Sequence, residues 1–254
     1  MSLYHRIAEW NGDRPWGSVL DAGTGRSSMR WLLDLPTTRW TAVTGAEVMA
    51  QQTREEIGTR QREVDRLVVG NWVDPDLLAG ERYDTVLADY LLGAIEGFAP
   101  YWQDQLFARL HGLVAPGGRL YVVGLEPYVV HLPERMDAAG SVIVRIGRLR
   151  DACLLLAGER PYREYPASWT LRRIEASGFR ILQAEKAPIR FGARFVDSQI
   201  DMCGRVIARL SDPALASALQ ANADALRAEA HALIEREGGL RHGHDYVIAA
   251  EPVG

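Results

Sequence analysis

Two acidic residues, Asp21 and Glu47, each follow an apolar run and stand beside glycine. The first closes Val19-Leu20 and opens Asp21-Ala22-Gly23-Thr24-Gly25. The second ends Thr41-Ala42-Val43-Thr44-Gly45-Ala46-Glu47. Glycines 23 and 25 lack the Cβ atoms that would hold backbone away from a ligand, and they permit the positive φ angles of a sharp strand-to-helix turn. A carboxylate after the second strand can accept hydrogen bonds from ribose hydroxyls, as acids do there in doubly wound nucleotide-binding folds. The pair points to an adenosine-containing cofactor. Plainer roles stand beside this one: Glu47 also suits the N-terminus of the helix that follows, worth ~0.3–1 kcal/mol, and Asp21 also suits a turn.

The elements that position these acids alternate regularly. A short amphipathic helix carries Leu3, Tyr4, Ile7 and Trp10 and stops at Gly12 and Pro15. Strand 17–22 leads to helix 26–34, strand 39–45 to helix 47–61, strand 65–70 to a short helix near 75–80, and strand 82–88 to helix 100–113; strand 119–124 follows. Leu67-Val68-Val69, Thr85-Val86-Leu87-Ala88 and Leu120-Tyr121-Val122-Val123 are short apolar runs, as expected of parallel strands covered on both faces. Trp102, Leu106, Leu110 and Leu113 form the core stripe of the helix at 100–113. The pattern then breaks at 125–165, with a helix near 134–158, and this insertion is expected to roof the site, since ligands bind outside the carboxyl ends of such strands. Helix 167–177 and strand 179–187 resume the core. A second helical insertion, 194–237, starts well at Asp212-Pro213 and stops at Gly238-Gly239. Its leucines 215, 219, 226 and 233 need a partner: the sheet, the 134–158 helix or another subunit, so a homodimer through the helical insertions stays open. A last strand spans 244–251. The expected fold is one α/β domain, 1–254, with a doubly wound, seven-stranded, mostly parallel, Rossmann-like sheet.

Composition narrows the partners. A chain of 254 residues, 47% hydrophobic and 24% charged, can bury a large core of its own. Its net charge of -4, with arginines spread along the chain, gives no electrostatic footprint for nucleic acid. Cys153 and Cys203 have no metal-ligand neighbours at short spacing and read as buried, reduced thiols. The start lacks a secretory signal pattern, and no apolar run reaches the ~20 residues of a membrane span. A cytoplasmic protein with a small-molecule substrate, no membrane contact and no metal is expected.

In these signals and their order, the chain resembles the class I S-adenosylmethionine-dependent methyltransferases over most of its length. Four matches carry the resemblance: Val19-Leu20-Asp21-Ala22-Gly23-Thr24-Gly25; Glu47; Tyr83-Asp84-Thr85-Val86-Leu87-Ala88-Asp89; and Leu113-Val114-Ala115-Pro116-Gly117-Gly118-Arg119-Leu120. The competing NAD-type pattern needs a third glycine where Ser28 stands. The resemblance implies S-adenosylmethionine as cofactor, with Gly23, Thr24 and Gly25 along its methionine part and Asp21 near its amino group. It further implies Glu47 on both ribose hydroxyls, Val48 against adenine, and Asn71 and Trp72 where the family often has an acid for the adenine amino group. Asn71 is a departure, although its amide oxygen can accept, and Trp72 suits packing as well as adenine contact. Asp89 would line the cofactor site or cap a turn.

A methyl transferase of this kind must hold acceptor and methyl in line, exclude water and take up a proton where the acceptor carries one. Candidates are Asp89 and Tyr90 after the fourth strand, then Glu126, Tyr128 and His131 after the fifth. His131 has the intrinsic pKa of a general base, and beside Pro133 it also reads as a surface residue. Many amine and nucleic-acid methyltransferases carry an Asn-Pro-Pro-Tyr-like motif after strand four; here Ala88-Asp89-Tyr90-Leu91 replaces it. The aromatics Tyr4, Trp10, Tyr128, Tyr162, Tyr165 and Trp169 favour a small, aromatic or apolar acceptor, methylated on O or N. A binding or regulatory subunit that uses the same cofactor without turnover stays open.

Overall fold

A computed structural model describes residues 3–130 and 135–253, which fall into two compact units. The first comprises Met1–Leu125, Arg163–Ala187 and Tyr246–Gly254. Its strands are β1 (Ser18–Asp21), β2 (Arg39–Thr44), β3 (Arg66–Val69), β4 (Tyr83–Asp89) and β5 (Val114–Leu125), joined by the parts of β6 (Phe179–Phe191) and β7 (Leu240–Pro252) that fall in this unit. The sheet order is β3-β2-β1-β4-β5-β7-β6. The first five strands are mutually parallel, with Leu20 opposite Thr41 on one side and Val86 on the other. β7 runs opposite to β5: Arg119 pairs with Glu251 while Gly124 faces Tyr246, and Val253 N–H donates to the Gly178 carbonyl at 2.8 Å.

Alternation along the strands sorts the sheet into two faces. Leu20, Ala22, Val86, Ala88 and Val122 pack with α4 (Leu91–Phe98), α5 (Gln103–His111) and α7 (Ala167–Ala176). Val19, Leu87, Tyr121 and Val123 pack with Ile7 of α1 (Leu3–Asn11), Met29 and Leu32 of α2 (Arg26–Leu33) and Ile57 of α3 (Glu47–Ile57). By the same parity, Asp21 and Asp89 belong to the α1–α3 face of the adjacent strands β1 and β4. Gly17, at φ 62, starts β1 against Asp84, whose Oδ2 accepts from Ser18 N–H at 2.8 Å; a Cβ at residue 17 would lie 2.3 Å from that oxygen.

Three expectations are corrected in this unit. Residues 75–80 form turns instead of a helix, because Asp74 Oδ1 accepts from Asp76 N–H at 2.9 Å and Leu78 adopts φ 56. Strand β3 is not covered on both faces; it is the sheet edge, and Val69 is 41% exposed. The expected helix at 100–113 begins at Gln103, preceded by α4, which the sequence reading lacked. Glycines 93 and 97 make α4 a poor helix by propensity. Packing supplies what propensity does not: Leu91, Leu92 and Ile95 are buried, and a Cβ at Gly93 would meet the Glu164 carboxylate at 2.5 Å.

The second unit, Glu126–Tyr162 with Pro188–Asp245, is built on α6 (Ala138–Leu156), α8 (Ala193–Ile207) and α9 (Pro213–Glu237), which pack on one another. The single helical insertion expected at 194–237 is therefore two helices, broken where Asp212 Oδ1 accepts from the N–H groups of Ala214 at 2.9 Å and Leu215 at 3.1 Å. Asp137 caps α6 in the same way through Gly140 N–H at 2.7 Å. Of the expected leucine stripe, Leu226 and Leu233 are buried with Ala223 and Ala230, whereas Leu215 is 37% exposed. The partner of this stripe is α6 and α8. Cys153 and Cys203 are free and buried in this core, where burial pushes the Cys203 thiol up to about 12. No helix among the described residues is long and apolar enough to cross a membrane.

Candidate functional site

In the first unit, the carboxyl ends of β1, β2 and β3 open into a cleft of about 430 Å3 counting its mouth. Gly23 and Thr24 form its floor after β1, Thr44 and Gly45 one side after β2, and Asn71 and Trp72 another after β3; α4 closes it with Leu91, Ile95 and Phe98. The loop after β1 is pinned at both ends. Ala22 N–H donates to Leu87 carbonyl and Thr24 N–H to Val43 carbonyl, each at 2.8 Å, while Trp72 Nε1 donates to Ala22 carbonyl at 2.8 Å. Asn71 is also engaged: its Nδ2 donates to Phe98 carbonyl at 2.8 Å and its Oδ1 accepts from Val73 N–H at 3.2 Å. One lone pair of that oxygen is left for a ligand.

The glycines divide by what a Cβ would meet. At Gly23 it would lie 3.0 Å from Leu91, and at Gly45 2.7 Å from the Phe98 ring, so both let α4 approach the strand ends. Around Gly25 nothing lies within 4 Å. Ser28, where a dinucleotide loop would carry glycine, folds its hydroxyl back: Oγ accepts from Gly25 N–H at 3.1 Å and donates to Gly25 carbonyl at 3.2 Å, capping α2.

Beneath this loop the side chain of Asp21 is fully buried, and neither of its oxygens has a hydrogen-bond partner of full geometry. Burial pushes its pKa up to about 6; the Ser28 and Thr24 hydroxyls and the Gly23 N–H lie close enough to offset only part of that rise. Thr24 Oγ1 and Thr44 Oγ1 are likewise buried without a partner of full geometry. Asp89 accepts from Tyr4 Oη at 2.8 Å, and Tyr4 stacks on Trp31 with ring centroids 5.1 Å apart. Burial first, and then the Asp89 and Asp21 carboxylates, hold the Tyr4 phenol far above its ordinary range. Two acids and a phenol thus share one end of the α1–α3 face. Next to them Tyr90 takes the left-handed conformation, φ 49, at the start of α4, an unusual backbone for a tyrosine and of a kind that concentrates at functional sites.

Glu47 opens α3, its side chain 68% exposed and paired with Arg54; Val48 beside it is 73% exposed. Met49, one residue on, lines the cleft.

No family model matches the chain, and no curated protein is significantly similar to it. Solved structures are. A candidate methyltransferase from Bacillus halodurans C-125 matches over 100% of both chains, with a TM-score of 0.65 at 15% identity. The [4+2]-cyclase SpnF matches with a TM-score of 0.57 at 18% identity, over 99% of this chain and 80% of its own. The Burkholderia thailandensis 1,6-didemethyltoxoflavin-N1-methyltransferase, solved with 1,6-didemethyltoxoflavin and S-adenosylhomocysteine, matches with a TM-score of 0.53 at 20% identity, over 98% of this chain and 76% of its own. The fold is that of the class I methyltransferases.

Within that methyltransferase fold, the structure gathers Gly23, Thr24, Asn71 and Trp72 in the cleft with Asp21 next to them in the chain, places Glu47 and Val48 at the start of α3 outside the cleft lining, and leaves Asp89 and Tyr90 at the end of β4. Gly25 is not among the cleft-lining residues. Glu126 and Tyr128 fall in the second unit. Tyr128 is buried there, its hydroxyl accepting from Arg150 Nη1 at 2.9 Å and its ring 6.1 Å from that of Phe191. His131 lies outside the described residues. Sequence reasoning missed Thr44, Met49, Leu91, Ile95 and Phe98 as lining residues, and Tyr4 as the partner of Asp89. Gly45 was the available signal for Phe98, since a glycine at a strand end implies something close to it.

Proposed function

We propose that the protein is an S-adenosylmethionine-dependent methyltransferase that moves a methyl group to an O or N atom of a small, aromatic or apolar metabolite. The observation that carries this reading is the Asp21 carboxylate, fully buried and without a partner of full geometry. A buried anion is costly unless a cation or several donors meet it. A ligand with an ammonium group beside a sulfonium answers that need, whereas the pyrophosphate of a dinucleotide would bring further negative charge to Asp21 and Asp89. The electrostatics therefore favour the methyl donor over NAD.

Asp21 would hold the amino group, with Thr24 and the Gly23–Gly25 backbone along the methionine chain. Glu47 would take the ribose hydroxyls, Val48 the adenine face, and Asn71 and Trp72 its edge. When bound, the cofactor supplies an electrophilic methyl group on sulfur. The chain's own task is to hold the acceptor in line, and for that we assign Asp89, oriented by Tyr4 Oη at 2.8 Å, with Tyr90 beside it. The apolar wall of Met49, Leu91, Ile95 and Phe98 supports an apolar ligand environment.

Calorimetric titration with S-adenosylhomocysteine and with NAD tests the cofactor assignment. Binding of the first and not the second is expected, and the reverse overturns it. Transfer of radiolabelled methyl from S-adenosylmethionine to members of an aromatic phenol and amine panel tests turnover. Tight binding of S-adenosylhomocysteine with no transfer to any acceptor would favour a regulatory subunit instead. Asp89→Asn is expected to lower kcat while leaving S-adenosylhomocysteine affinity within a factor of about two.

A further inference from the structure

The amide of Asn71 makes two bonds that no carboxylate could make together. Its Nδ2 donates to the Phe98 carbonyl at 2.8 Å and its Oδ1 accepts from Val73 N–H at 3.2 Å, so one acceptor and one donor fix which way the amide points. Phe98 lies in a short flap, residues 97–101, that ends α4 and turns the chain toward α5. The buried bond from Gln103 Nε2 to Glu96 Oε2, 2.8 Å long, closes the base of this flap. Beyond the base the chain is loosely built: Gly97, Pro100 and Tyr101 are exposed, Ala99 has left helical geometry at φ -149, and Tyr101 is left-handed at φ 68. The Phe98 ring fills the place that Gly45 leaves bare, where a Cβ would lie 2.7 Å from it. With the ring there, the space in the cleft open to water is about 50 Å3. A cavity that takes up benzene measures about 150 Å3, and adenine is larger than benzene.

We propose that residues 97–101 are a gate on the cofactor cleft, with Phe98 as its plug and Asn71 as its latch. The adenine end of the cofactor enters when the flap swings outward, and the Asn71 amide N–H then passes from the Phe98 carbonyl to a ring nitrogen of the base. The exchange of partners is balanced. Carried out on an exposed flap, the Phe98 carbonyl is taken up by water, so no polar group is stranded in the interior. An asparagine is needed at position 71 because the latch requires a donor, which an aspartate lacks. The identity of the ligand rests on the S-adenosylmethionine reading, whereas the latch is a property of the chain itself. Every residue involved belongs to the first unit.

Two measurements on the full chain test it, hydrogen exchange without ligand and stopped-flow mixing with S-adenosylhomocysteine. Asn71→Asp keeps the acceptor for Val73 N–H and removes the donor for Phe98. Losing one neutral hydrogen bond should raise the open population about two- to tenfold. The Ala99 N–H, which donates to the Ile95 carbonyl at 2.7 Å, and the Trp102 N–H, which donates to the Ala99 carbonyl at 3.1 Å, should then exchange faster by that factor, with the amides of α5 unchanged. In the parent, the observed association rate should level off as S-adenosylhomocysteine rises, because opening limits entry; in Asn71→Asp the plateau should rise by a similar factor. Phe98→Ala removes the plug and should speed association at least about fivefold, with a dissociation constant equal to the parent's or tighter. If Phe98 were instead a wall for the adenine, that variant would dissociate faster with association unchanged, and this result overturns the proposal. Parental exchange rates in Asn71→Asp overturn it as well, whether or not S-adenosylhomocysteine binds. Accelerated exchange, together with no binding of S-adenosylhomocysteine by the parent or either variant, would uphold the gate and refute the cofactor reading.

Discussion

Replacing Asp21 by asparagine keeps the shape of the side chain and removes its charge, and the effect on stability carries a pH signature. Asp21 is fully buried, and burial raises its pKa from the ordinary 3.8 to about 6. Because the native state holds this proton more tightly than the unfolded chain, it binds more protons between those two values. Stability contributed by this residue therefore falls as pH rises across that window and stays level above it. At 1.36 kcal/mol per tenfold difference in proton affinity, the full loss is about 3 kcal/mol, of which about 0.5 kcal/mol is already present at pH 4. The asparagine amide is buried too and needs partners, but that penalty is the same at every pH. The difference between variant and parent should thus move in favour of Asp21→Asn by about 2 kcal/mol from pH 4 to pH 7, or roughly 4–8 °C in Tm. Scanning calorimetry of both proteins in the absence of ligand, at steps of pH across that range, measures it. Parallel Tm curves would refute the reasoning, for they would mean that Asp21 is already ionised and satisfied in the free protein. A linked result concerns binding: S-adenosylhomocysteine affinity of the parent should fall as pH drops through about 6 and be flat in Asp21→Asn.

Glu47→Ala should weaken S-adenosylhomocysteine binding by ~1–3 kcal/mol through lost charged hydrogen bonds, while Tm stays nearly constant because the Glu47–Arg54 pair is exposed; an unchanged dissociation constant removes the ribose assignment. Trp72→Phe deletes the bond from Nε1 to Ala22 carbonyl and should destabilise the fold by about 1 kcal/mol or more, read by urea denaturation. Gly45→Ala drives a methyl group against the Phe98 ring and should lower stability by about 1–3 kcal/mol, with recovery in the double variant Gly45→Ala/Phe98→Leu. A Gly45→Ala protein of unaltered stability would mean that Phe98 does not hold this position.

The local pattern of this chain determined much by itself. An apolar strand, an acid and a glycine-rich turn specify a strand end that approaches a ligand, and their recurrence with helices between them specifies a doubly wound sheet, because a buried parallel strand leaves no other economical way to cover both faces. The capping acids Asp137 and Asp212 act within a few residues of themselves. Asp212 was legible for that reason. Helix α4 was not: its glycines argue against a helix, and only contacts with Gly23, Gly45 and Glu164 from distant parts of the chain make it one. The burial of Asp21, the meeting of Tyr4 with Asp89 across 85 positions, and the packing of α9 on α6 and α8 also depend on non-local contacts that no spacing encodes. Sequence set which residues stand at the strand ends; tertiary packing decided which of them were buried, and a buried acid whose nearby donors offset only part of its desolvation is what gives the cleft its demand for a cation.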